Sequence, residues 1–214
     1  MAHKTDKRNI LYANLMEEVK LRFDCINLAV QGRIGYAPPI LREICWLQVR
    51  MLCELITLSC LVAHGDIVAL QTHKIGKAYS ADEILDKLAK LRPHFYPIPI
   101  VQKLTNPEAP QGKRKYDTTV VDPSPLPKVD LISLYGKTHR HLHRGSLKKL
   151  LSMDAPIDTN VNFPEIVGHV QKICNLLSHH MIAVSENHLI FCMLQNASNN
   201  NRVQVITAEK DVLK

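Results

Sequence analysis

Two groups of side chains in this sequence have the types and the spacing to do chemistry. The first lies in the most apolar stretch of the chain, where Arg42, Trp46, Arg50 and Glu54 recur every fourth residue and so form one strip along a helix. Charges in such surroundings are costly unless they are paired and hydrogen-bonded. Arg50 and Glu54 therefore have two readings: an ion pair that ties helices together, or the wall of a polar cleft that receives a ligand. The second group is the segment Tyr135-Gly-Lys-Thr-His-Arg-His-Leu-His-Arg-Gly-Ser146. No acidic residue occurs between Asp130 and Asp154, whereas Lys137, Arg140, Arg144, Lys148 and Lys149 are positive and His139, His141 and His143 can add to them.

On a helix, Lys137, His141, Arg144 and Lys148 share a face opposite the Leu134, Thr138, Leu142 stripe, which presents a cationic surface to phosphates. Histidine exchanges protons near neutral pH, and a neighbouring arginine can hold a phosphate and stabilise its developing charge. His143, Arg144 and Lys137 are accordingly the candidate catalytic residues for phosphodiester cleavage. Arg50, Glu54, His139, Arg140 and Lys148 are the candidate binding residues. His139 and His143 also have the i, i+4 spacing of helical metal sites, but no Asp, Glu or Cys follows nearby to complete a coordination sphere. Neither a metal nor a cofactor is expected. A solvated basic face is the plainer alternative for the whole run, and His64, alone at a helix end, reads as core or cap rather than as a base. No Walker loop, GxGxxG, GxSxG, HExxH or paired CxxC motif occurs.

The elements that must position these residues are mostly helices. With 214 residues, 46% apolar and 22% charged, the chain suits a single domain spanning residues 1–214. Apolar residues recur at helical spacing from about Asn9 to Gly32, and the run from about Pro39 to His64 is apolar on nearly every side, as a central buried helix would be. Arg50 and Glu54 near its middle disfavour a membrane span. Ser80-Ala-Asp-Glu83 reads as a capping box before a third helix ending near Arg92. Residues 93–128 hold eight of the twelve prolines. That segment is either a hairpin, with arms at Ile98–Thr105 and Lys115–Val121 and a basic Lys113-Arg114-Lys115 tip, or a loop. Helical spacing returns at Asp130–His143 and Phe163–His180. The β-rich runs His188–Gln195 and Arg202–Ala208, joined by Asn-rich turn residues, predict a C-terminal β-hairpin. The expected fold is thus α+β and mainly α, a helical bundle over about 9–92 and 129–181, an insertion over about 93–128 and a β-hairpin over about 182–210.

The six cysteines lie in apolar periodic runs and read as reduced, mostly buried thiols. The first twenty residues show no signal-peptide pattern, so a cytoplasmic location is expected, with no membrane partner. The net charge of +7 favours contact with polyanions.

The long apolar helix with embedded Arg50 and Glu54, followed by a later helix ending in Leu142-His143-Arg144-Gly145, resembles the HEPN superfamily of small helical domains. The resemblance covers about residues 9–180, apart from the proline-rich insertion. Its ribonuclease members carry Arg, four to six residues, then His on a late helix. The nearest match here is Lys137, five residues, then His143, and lysine lacks the bidentate guanidinium fork. The resemblance implies a homodimer that binds RNA or nucleotide phosphates, with metal-independent ribonuclease-like cleavage or none. The alternative is a structural module that assembles with itself.

Overall fold

The computed structural model describes residues 2–65, 80–108, 115–143 and 161–209. Among these residues five α-helices, α1 (Ala2–Val30), α2 (Pro38–Ala63), α3 (Ala81–Leu91), α4 (Lys128–Leu142) and α5 (Phe163–Leu177), accompany five strands. The strands are β1 (Ile98–Leu104), β2 (Tyr116–Val120), β3 (His179–Ala183), β4 (His188–Asn196) and β5 (Arg202–Glu209). The architecture is α+β and mainly helical. All neighbouring strands run antiparallel, in the order β2-β1-β3-β4-β5.

α2 opens on Pro38 and Pro39, whose missing N–H donors fall in the first turn, where no helical partner exists. Trp46, Val49, Leu52, Cys53 and Ile56 are fully or almost fully buried, so this helix is the spine of the core. It is long and apolar enough to cross a membrane by length and composition, yet 61% of its most apolar window is buried within the fold. α1 packs along it through Met16, Val19, Phe23 and Ile26. On its other flank α1 meets the sheet. Asn9 bonds the Thr207 hydroxyl at 3.0 Å, Glu17 accepts from the Val203 N–H at 2.7 Å, and Lys20 donates to the Asn201 carbonyl at 2.7 Å.

Two boundaries differ from expectation. α1 begins at Ala2 rather than near Asn9. The helix expected to reach His180 stops at Leu177: Ser178 still closes the last turn on the Cys174 carbonyl, through its N–H at 2.8 Å and its hydroxyl at 2.6 Å, but its own carbonyl accepts from the Leu194 N–H of β4 at 3.0 Å. The chain then alternates, with His180 and Ile182 buried, and pairs with β4. This extra strand joins the two hairpins. Through β3 the proline-rich segment, a hairpin rather than a loop, belongs to the same sheet as the C-terminal hairpin, which is its extension and not a separate appendage. Ser80 is the N-cap of α3 but forms no side-chain cap bond, and Glu83 pairs with Lys87 instead. The reciprocal cap appears at α5, where the Asn162 side chain accepts from the Glu165 N–H and donates to the Glu165 carboxylate, both at 3.2 Å. As the composition predicts, Asn200 and Asn201 take the left-handed backbone, at φ 50° and 58°, in the β4–β5 turn. The tip residues Lys113 and Arg114 lie outside the described residues.

A buried polar pair holds α1 to the sheet. His180 Nδ1 faces the Leu177 carbonyl at 2.9 Å and must donate to it, which leaves Nε2 to accept from the Tyr12 hydroxyl at 2.6 Å. Both residues are 0% exposed, and burial depresses the imidazole from 6.5 to about 4 while raising the Tyr12 phenol. The unfolded chain therefore takes up this proton first on acidification. The stabilising contribution is complete above pH 6.5 and is lost as the pH falls toward about 4, amounting to on the order of 3 kcal/mol.

Tyr12→Phe should cost about 1–3 kcal/mol in denaturant unfolding at pH 7, because it strands the His180 acceptor in the core; an unchanged midpoint would refute the pairing. Cys45, Cys53, Cys60 and Cys192 are buried, with burial pushing the Cys45 thiol up to about 11 and that of Cys53 to about 12, whereas Cys25 and Cys174 are half-buried. A thiol reagent should therefore label Cys25 and Cys174 in the native protein and all six only after denaturation.

Candidate functional site

The charged strip on α2 is spent on helix packing. Arg50 Nε lies 3.1 Å from Glu54 Oε1, its Nη2 donates to the Tyr135 hydroxyl at 2.5 Å, and its guanidinium stands 4.4 Å from the centroid of that ring. Tyr135 is nearly buried on α4, and burial raises its phenol. Arg50 thus pairs with Glu54 and connects α2 to α4 through Tyr135, as a structural ion pair would, with part of both charged side chains left in solvent.

One turn earlier, Trp46 is 2% exposed and lies between two imidazoles. His141 of α4 stacks on it at 3.9 Å with an interplanar angle of 3°, and His169 of α5 approaches at 5.9 Å, tilted by 55°. Lys137 stands 5.8 Å from the centre of the same ring and forms an ion pair with Glu165. Asn162 caps α5 through Glu165, so the cap that starts the helix also fixes the carboxylate that receives Lys137. Lys137 holds the Glu165 carboxyl below its usual range. Burial is the first cause lowering His141 and His169, and Lys137 adds to both shifts. The Nε2 atom of His169 is buried with no hydrogen-bond partner.

This arrangement corrects the expected cationic face. Lys137 and His141 do not point outward beside one another; they flank the buried stripe of α4 and meet Glu165 and Trp46. The acid-free character of the segment is local to the sequence, since α5 brings a carboxylate to it. Lys137 and His143, six residues apart, lie about 120° apart around the helix. The candidate catalytic pair is therefore not assembled on one surface. Arg144 and Lys148 lie outside the described residues. His139, Arg140 and His143 are exposed on the outer side of the last turn, and no carboxylate pairs with them among the described residues. Their rings 4.0 Å apart, His139 and His143 are neighbours, and His143 closes α4 with its N–H on the His139 carbonyl at 3.1 Å. No group of three His, Cys, Asp or Glu side chains converges as a metal site among the described residues.

His64 is remote from this edge, eighteen residues or about 27 Å along α2 from Trp46. It is 0% exposed, and both ring nitrogens face carbonyl oxygens, of Cys60 at 2.9 Å and Ala183 at 3.1 Å. It ties the end of α2 to β3. An open cavity of about 340 Å³ lies elsewhere, at the base of β1 between Pro99, Val101, Asn175 and His179.

Sequence reasoning missed Glu165 and His169. The Asn162-x-x-Glu165 spacing was the available signal, with His169 one turn further along the same helix face.

Trp46 is the single tryptophan, so its emission reads the two imidazoles against it, His141 and His169. Because both imidazoles are held below 6.5, quenching of Trp46 by their protonation should show a midpoint below pH 6.5, weaken in His141→Gln and vanish when His169→Gln is added. A midpoint at or above pH 6.5 would contradict the buried stack. No protein-family model, curated protein or solved structure matches this chain.

Proposed function

We propose that this chain binds phosphate-rich ligands, RNA first among them, without cutting them, through the outer edge of the last turn of α4. The observation that carries the reading is the exposure of His139, Arg140 and His143 with no carboxylate pairing among the described residues, in a chain of net charge +7. Arg50 and Glu54 act behind this edge by fixing α4 on α2 through Tyr135. Cleavage has no support from geometry, since Lys137 is committed to Glu165 and turned away from His143. This reading agrees with the non-cutting nucleotide or RNA binders among the HEPN-like domains that the chain resembles. A second reading, a module that assembles with itself, is favoured by the open apolar stripe of α2.

Fluorescence anisotropy with a single-stranded RNA oligomer should give binding that weakens steeply between about 50 and 200 mM salt. Arg140→Glu/His143→Glu should lower the affinity by about tenfold or more, because each reversal replaces a phosphate contact by repulsion. Glu165→Gln should leave it within about twofold. Equal affinity for the wild type and the double reversal would remove the proposal.

A further inference from the structure

α2 is covered on all but one side. Its open stripe repeats every three or four residues through Ile40, Ile44, Leu47, Met51, Leu58 and Val62, with Ile40, Leu47 and Leu58 exposed by 42%, 44% and 40%. Along this stripe Glu43, Arg50 and Glu54 are the charged residues that also reach the surface of the helix middle.

A two-fold dimer needs a surface that is its own complement, because residue i meets residue j while j meets i. The α2 stripe has that property about Met51. Laid antiparallel on a second copy with Met51 at the axis, Ile44 falls opposite the second copy's Leu58, and Ile40 opposite its Val62. Leu47 enters the gap between the second copy's Met51 and Leu58, where Glu54 leaves the stripe without an apolar side chain.

The charges agree with the same register. Arg50 lies one residue to one side of the axis and Glu54 three to the other, on one flank of the stripe. Like flanks meet in an antiparallel pair, so each Arg50 stands about 3 Å along the helix axis from the second copy's Glu54. The Arg50–Glu54 pair, 3.1 Å apart within the chain, then extends into a ring of alternating charges across the axis. Side chains 26% and 31% exposed keep that capacity. We infer that the open stripe of α2 is the interface between two copies of this chain, paired antiparallel about a two-fold axis at Met51. The inference rests on the self-assembly reading of this stripe, to which it adds the partner register, and stands apart from the phosphate-binding reading, which uses a different edge.

Sedimentation equilibrium of the full chain should reveal a concentration-dependent species of twice 24.2 kDa. Leu47→Glu/Leu58→Glu should raise its dissociation constant by about tenfold or more, with helix content and thermal midpoint retained. Val101→Glu, at a strand position 60% exposed on the sheet, should leave association unchanged. Met51→Cys should form a disulfide with itself across the axis under mild oxidation, identified as a symmetric linked peptide, and this variant decides the matter if the double glutamate variant fails to fold. A monomer at every concentration, a dimer indifferent to Leu47→Glu/Leu58→Glu, or the absence of the Met51→Cys cross-link would overturn the inference. A monomer that floats with lipid vesicles through the same stripe would assign it to a membrane instead, and would overturn it equally.

Discussion

The constraint on which the structure depends is the burial of α2. A 26-residue helix that is apolar on most of its circumference leaves water only if other elements cover each side, and each covered Leu, Ile, Val or Met contributes about 1.5–3 kcal/mol. α1 and α4 take its flanks, α3 and α5 pack on parts of the rest, one stripe stays open, and the sheet closes over α1. The polar groups carried inside are satisfied close to home. The Thr57 and Ser59 hydroxyls donate to the Cys53 and Ile56 carbonyls, and His64 reaches Cys60 and Ala183. A core helix rich in Cys, Thr and Ser thereby avoids unpaired donors.

The same burial sorts the charged residues. Wherever a cation reaches a helix junction it meets a partner there: Arg50 meets Glu54 and Tyr135, and Lys137 meets Glu165. An unmatched charge at those positions would carry a desolvation cost that no neighbouring contact repays. His139, Arg140 and His143, at the end of α4, are left on the rim, where water solvates them.

Histidine shows how environment assigns roles to one residue type. His180 is a neutral core acceptor, His141 and His169 are aromatic packing partners of Trp46, His64 is a backbone tie, and His139 and His143 are surface groups. Their spacing in the sequence does not distinguish these roles. His139, His141 and His143 alternate along one turn and a half of helix, and a rotation of about 100° per residue sends the middle one inward and its neighbours outward.

The amino-acid sequence by itself determined the elements whose signal is local. The helical periods of α1, α2, α4 and α5, the prolines opening α2, the Asn-rich β4–β5 turn and the apolar siting of the cysteines were all legible, because each depends on contacts within a few residues. Tertiary structure decided the rest. Five residues of helical or strand pattern at His179–Ala183 became a strand only because β1 and β4 were there to pair with them. Lys137 lost its place on a cationic face because Glu165, twenty-eight residues onward, was brought to it by the packing of α5 against α2. A charge or a ring takes its meaning from the nearest opposite group, and for these residues that group is set by the arrangement of whole helices, which short-range periodicity does not encode.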